Sequence, residues 1–404
     1  QEIQEMLRPI KEDAVIQVPQ GFSFATAAAG FRYTARPDVG CILSHRPAAT
    51  AGVFTTNRFQ AAPVLVAREH IQGRARAILV NAGQANACTG EQGLSLCRRS
   101  CELVARAFEL KPQEILPAST GVIGEQMDPV LWQQAADVLA RSSEHTPLDV
   151  AKAMLTTDTY PKLVWREVDL ARGPVRVLAM AKGSGMICPQ MATMLGFVLC
   201  DAEIDDTSWQ AMLERAVHRS FNRISVDGDT STNDCVLSLA NAASQVQVQG
   251  EEASRLEGEL TDLCQELAYL IVQDAEGGTK VVRVRVHGAR DDDQAERVAR
   301  TVAHSPLVKT AMFGRDPNWG RIVAAIGRSN VEFEPEEIRV SIAGRLLFQR
   351  TTPIQADLDS LLAPYLHRQE IPIDISLGTG KGEYEILTSD LSVDYVRINA
   401  EYRS

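Results

Sequence analysis

The sequence predicts a mixed α/β protein. Helical-period stretches alternate with short apolar runs along all 404 residues, and 45% of the residues are apolar against 23% charged. No low-complexity linker or repeat separates the elements, and the length suits two or three domains. Aromatic residues are only 5%, so Ala, Val and Leu must build the core.

In chain order, Ala77-Ile78-Leu79-Val80 reads as a buried strand, and Leu96 to Leu110 and Pro129 to Arg141 as helices. Val175 to Ala181 and Thr193 to Cys200 are apolar runs of strand length. Trp209, Met212, Leu213, Ala216, Val217 and Phe221 recur at helical spacing behind the capping candidates Asp205, Asp206 and Thr207. Cys235 to Leu239 is the next strand. A long amphipathic helix follows through Leu256, Leu260, Leu263, Cys264, Leu267, Leu270 and Ile271, stopping before Gly277-Gly278. Val281 to His287, Ile338 to Ile342, Ile371 to Leu377 and Glu383 to Leu387 are strands, with a helix near Ile354 to Leu366. Gly378-Thr379-Gly380-Lys381-Gly382 fails the phosphate-loop pattern and reads as a turn between two antiparallel strands.

A net charge of −11 argues against a nucleic-acid partner. The run Asp291-Asp292-Asp293 reads as a solvated loop. No apolar run reaches the roughly 18 residues of a membrane span, and no signal-peptide pattern opens the sequence. The eight cysteines lack metal-ligand spacing. No metal and no membrane partner are expected, and the compartment expected is reducing and cytoplasmic.

Chemistry concentrates in a few polar windows. Lys182-Gly183-Ser184-Gly185-Met186-Ile187-Cys188-Pro189-Gln190-Met191-Ala192 is a turn that runs into Thr193. Thr193 either opens a core strand or is the nucleophile of a self-cleaving chain. Were the Ala192–Thr193 bond cut, Thr193 would carry a free α-amine, with a pKa of about 8, beside its own hydroxyl. Nucleophile and base would then share one residue. Ser119-Thr120-Gly121 suits an oxyanion hole or an ordinary loop. Asn81 to Gly90 could supply turn geometry or ligand contacts, and Thr156-Thr157-Asp158-Thr159 a capping or Asx-turn cluster. Asp227 to Asp234 is rich in oxygen ligands without calcium-loop spacing. Glu276 sits at the end of the long helix, where the dipole gives a carboxylate no support.

Taken together, these windows, with Arg315-Asp316-Pro317-Asn318-Trp319-Gly320-Arg321, Asp274 to Gly277 and Asn399 to Tyr402, resemble the ornithine acetyltransferases of arginine biosynthesis, which transfer acetyl groups to glutamate. The resemblance runs from near residue 20 to the end. Gln84, Cys188 and Gln190 depart from the usual residues and bear on substrate detail or cleavage rate, not on reaction class.

The resemblance implies a layered α/β/β/α sandwich of the self-processing N-terminal-nucleophile-like kind over 15–287 and a smaller C-terminal α/β domain over 288–404. It implies cleavage at Ala192–Thr193 into an α chain, 1–192, and a β chain, 193–404, associating as a dimer of α–β pairs. Thr193 would carry the acetyl group from N-acetylornithine to glutamate, with Thr120 and Gly121 as oxyanion donors. Thr156, Lys182, Thr193, Glu276, Asn399 and Ser404 match substrate-contacting positions. No cofactor is implied, and acetyl-CoA is a possible co-substrate. The alternatives are an amidohydrolase or aminopeptidase using the same threonine, and a silent assembly protein that never cleaves.

Overall fold

The computed structural model describes residues 7–142, 144–188 and 194–402. It divides into two compact units, the larger comprising Arg8–Asn222 and Asp229–Ile271, the smaller Arg223–Gly228 and Val272–Tyr402. No helix among the described residues is long and apolar enough to cross a membrane.

The larger unit contains β1 (Phe22–Ala27), β2 (Val39–Phe54), α1 (Ala62–His70), β3 (Ala75–Gln84), α2 (Gly90–Ala107), β4 (Ile115–Val122), α3 (Pro129–Arg141) and α4 (Pro147–Ala153). After these come β5 (Lys162–Leu170), β6 (Gly173–Lys182), β7 (Leu195–Cys200) and α5 (Asp206–Arg219). The chain contributes β8 (Ile224–Ser225) to the smaller unit and returns for β9 (Cys235–Ala240) and α6 (Glu251–Gln273).

Strand β2 organises this unit. Its first half pairs with β1 and β3, the register shifts between Leu43 and Ala48, and its second half pairs with β9. The resulting order is β4-β3-β2-β9-β7-β6-β5, with β1 beside β2. Because strand side chains alternate between faces, each half-sheet has an inner and an outer set. Ile42, Ile78 and Leu116 from one half share a buried cluster with Leu178, Phe197 and Leu237 from the other. The opposite set, Cys41, Leu79 and Ile115, packs on Val66, Leu96, Val104 and Trp132 of α1, α2 and α3. On the far side α5 lies against β2 and β9, where Gln210 exchanges hydrogen bonds with both the N–H and the C=O of Gly52. The layers are therefore helix, sheet, sheet, helix.

The smaller unit adds β10 (Val281–Ala289), α7 (Asp292–Ala303), α8 (Pro306–Phe313), α9 (Trp319–Gly327), β11 (Arg339–Ile342), β12 (Arg345–Gln349) and β13 (Thr352–Pro353). It closes with α10 (Leu358–Leu366), β14 (Glu370–Ser376), β15 (Gly382–Ser389) and α11 (Val393–Glu401). Its sheet order is β13-β12-β11-β14-β10-β15-β8. Val282, Val284 and Val286 of β10 join the apolar core, while Arg283 and Arg285 turn the other way and pair with Glu370, Glu385 and Asp374.

Several expectations need correcting. The expected boundary at 287/288 falls inside β10, which is hydrogen-bonded to β14 and β15 and so belongs to the smaller unit. β14 and β15 are not paired neighbours, because β10 lies between them. Residues 291–293 are a helix start rather than a loop: Asp291 caps α7 by accepting the Gln294 N–H at 2.8 Å, and the next two acids favour the positive end of the dipole.

Phe197 has no exposed surface and fills the space between the two half-sheets. Phe197→Ala should lower unfolding stability by about 3–5 kcal/mol, read as a lower urea midpoint. A loss under about 1 kcal/mol would contradict the packed interface described.

Candidate active site

Thr120 and Gly121 lie within β4, not in a loop. The β3–β4 ladder continues past the apolar residues, pairing Ala82 with Thr120 and Gly83 with Gly121. Gly121 has φ +132°, and a Cβ there would sit 2.2 Å from the Gly83 carbonyl carbon, so no other residue fits. Two residues before Gly121, Ser119 Oγ donates to Asn81 Oδ1 at 2.5 Å.

Lys182 is the last residue of β6 and is buried. Its Nζ donates to Thr156 Oγ1 at 2.8 Å and to Thr120 Oγ1 at 3.3 Å, and lies 3.7 Å from Asp158 Oδ2. Three of the candidate residues from three distant stretches are thus in one cluster. The Asp158 side chain is wholly enclosed; its Oδ1 accepts Lys162 Nζ at 2.8 Å and the Gly183 N–H at 2.6 Å. Burial alone would favour the neutral acid, but the Lys162 and Lys182 ammonium groups outweigh it and hold this carboxyl well below its usual range. The window around Asp158 is therefore the seat of a buried charge cluster, beyond the capping turn the sequence suggests.

Asp234 precedes β9, and its Oδ1 accepts the Met194 N–H at 2.9 Å. Burial pushes its carboxyl well above the ordinary value, against the Met194 hydrogen bond and the Lys182 charge. Met194 directly follows Thr193 in sequence. Ala192, Thr193 and Ser404 themselves lie outside the described residues.

Glu276 and Asn399 form a second pair, in the smaller unit. Asn399 Nδ2 donates to Glu276 Oε2 at 2.8 Å and to Tyr395 O at 3.1 Å. Glu276 is not the helix end: α6 stops at Gln273, and Glu276 stands in the turn closed by the Gly278 N–H on Ala275 O. Asn399 is on α11, so this part of the C-terminal stretch is helical. The sequence does not single out Asp158 or Lys162 as individual residues. The one available signal was a lysine, Lys162, directly before the apolar run Leu163-Val164-Trp165.

A sequence profile described as the ArgJ family matches residues 23–404. The arginine biosynthesis bifunctional protein ArgJ of Nitratidesulfovibrio vulgaris is 55% identical over 389 residues, covering 96% of this chain and 99% of that protein. The chain belongs to the ArgJ family. The ArgJ protein of Synechocystis is 43% identical over 401 residues, covering 96% of this chain and 97% of its own length. A crystal structure of the Bacillus halodurans ArgJ protein aligns with 38% identity and a TM-score of 0.49, covering 51% of this chain and 98% of that one. The family membership agrees with the resemblance carried by the polar windows.

In this ArgJ-family chain the Asp158 carboxylate lies 2.8 Å from Lys162 Nζ and 3.7 Å from Lys182 Nζ. Its folded pKa is depressed, so its stabilising contribution is complete above the ordinary carboxylate value of about 3.9. That contribution is lost as pH falls below that value toward the folded one. Asp158→Asn should cost about 3–5 kcal/mol at pH 7 by stranding buried charge. The gap from wild type in urea midpoint should narrow at pH 3. A gap independent of pH would remove Asp158 from the charge balance.

Proposed function

We propose that the chain cuts itself before Thr193 and then moves an acetyl group from N-acetylornithine to glutamate through an acetyl-Thr193 ester. The observation that carries this reading is the cluster of Lys182, Thr120 and Thr156 beside the close Gly83–Gly121 approach. In the first step Thr193 Oγ attacks the Ala192 carbonyl carbon. The C–N bond breaks, the hydroxyl proton passes to the released nitrogen, and water hydrolyses the ester. The products are residues 1–192 and 193–404. The new α-amine then takes the Oγ proton as the threonine attacks the acetyl carbonyl, and ornithine leaves carrying that proton. The glutamate α-amine attacks the acetyl ester in turn and regenerates the hydroxyl.

Thr120 Oγ1 accepts from Lys182. Its own proton is therefore turned away from the ammonium and available to an oxyanion. Lys182 is suited to a substrate carboxylate, and Glu276, with Asn399 on it, to a substrate ammonium. Thr156 and Ser404 complete the proposed contacts. The chemistry needs no metal or organic cofactor, since nucleophile and base reside on one residue. The relatives carry the name bifunctional; on this reading acetyl-CoA is a second acyl donor to the same threonine. The proposed assembly is a dimer of α–β pairs in the cytoplasm, where eight cysteines stay reduced.

Purified protein should run as two fragments on a denaturing gel, the second beginning Thr-Met-Leu-Gly, and Thr193→Ala should stay one chain. Efficient cleavage of that variant would exclude Thr193 as the nucleophile.

Thr120→Ala should lower kcat by about 10²–10³ with a much smaller change in KM, as for the loss of one oxyanion donor. Steady-state release of ornithine, measured with and without glutamate, reads this. Release that ignores glutamate would instead support the hydrolase, and an unchanged kcat would return Thr120 to a structural role.

A further inference from the structure

Two adjacent buried residues connect the strand carrying Thr120 to the strand that follows Thr193. Asn233 Nδ2 donates to Ser119 O at 2.8 Å and to Ala85 O at 2.6 Å. Thr232 Oγ1 donates to Asn233 Oδ1 at 2.7 Å, which leaves the amide group one way round. Asp234 Oδ1 accepts the Met194 N–H at 2.9 Å. Ser119 immediately precedes Thr120, and Met194 immediately follows Thr193. Both hydrogen bonds hold main chain, one beside Thr120 and one at the residue after Thr193 in sequence.

The segment bearing these two residues is itself fixed from a third side. Thr55 N–H donates to Asp234 O at 2.9 Å and Ala61 N–H to Thr232 O at 2.9 Å. Thr55 Oγ1 donates to Ser231 O at 2.8 Å, and Asn57 Nδ2 to Thr230 O at 2.9 Å. Consecutive Cα atoms are about 3.8 Å apart, so the two anchoring side chains leave one short, fixed piece of backbone. Acyl transfer demands such a fixed separation, because a displacement of about 1 Å costs on the order of a hundredfold in rate.

We propose that Asn233 and Asp234 are positioning residues that set the distance between the oxyanion strand β4 and the nucleophile strand β7. This rests on the reading of Thr193 and Thr120 given above. The device acts through geometry, so it governs the rate of cleavage and of acyl transfer and leaves substrate affinity nearly unaltered. Asparagine at position 234 keeps an acceptor at Oδ1. It is a close mimic of a carboxyl that burial holds toward its neutral form.

The test uses full-length protein carrying Asp234→Ala, Asp234→Asn, Asn233→Ala or Thr193→Ala. It reads the half-life of the uncut chain and, in the cleaved fraction, kcat and KM for N-acetylornithine. Asp234→Ala should lengthen the half-life at least about tenfold, and Asp234→Asn should stay within about threefold of wild type. Asn233→Ala should lower kcat about tenfold or more, with KM within about threefold. If an alanine variant does not fold, the serine variant at that position, too short to reach the anchored backbone group, carries the same expectation. Wild-type processing of Asp234→Ala, equal slowing by asparagine and alanine, or a raised KM at constant kcat for Asn233→Ala would each overturn the proposal. Cleavage of Thr193→Ala would instead overturn the functional reading beneath it.

Discussion

The Asp158 side chain has no contact with solvent, and two ammonium groups converge on it and hold its carboxyl well below the usual range. The arrangement works in both directions. Lys162 and Lys182 are themselves buried, and the carboxylate supplies a counter-charge to both. The Asp158 carboxylate also accepts the Gly183 N–H, so it fixes the point where β6 ends and the loop toward Thr193 begins. One carboxylate thus faces the lysine that reaches Thr120 and Thr156 and marks the departure of the chain. Pairing of this kind contributes little net stability compared with an apolar core. Its retention here makes sense as the holding of a cation at a chosen place.

The second constraint is β2. A single strand that serves both half-sheets turns two ladders into facing layers, and the register shift after Leu43 is where it changes partners. Alternation then does the rest. Every inward residue of one half finds an inward residue of the other, and the helices take the outer sets. Thr120 and Lys182 come from opposite halves, so their meeting depends on this folding over.

Much of this was legible in the sequence, for identifiable reasons. α5 and α6 follow from periodicity and, for α5, the Asp205 cap, because those signals are local. The polar windows identified the family, since close backbone approach and hydroxyl clusters require particular small residues. What escaped was non-local. The polar run through Ser44, His45 and Arg46 hides the continuity of β2. β3 reads as ending at Val80, because Asn81 to Gln84 are small or polar; their strand state comes from the ladder with β4. The insertion of β10 between β14 and β15 leaves no trace in either strand. Nothing within residues 156–159 reveals that Asp158 is enclosed by lysines four and twenty-four positions on.

The sheet order has a consequence for the life history of the molecule. β7 and β9 both lie downstream of residue 193, yet they sit between β2 and β6, which both lie upstream. A cut before Thr193 would leave the two pieces interlocked, with the middle of the sheet from one and its flanks from the other. They could part only by exposing the apolar interior, so separation would be slow. Once separated, they would have to find each other again in a second-order encounter, and recovery would depend on concentration where the uncut chain's would not. The intact chain is then the form in which assembly happens, and the cut erases the instructions for repeating it.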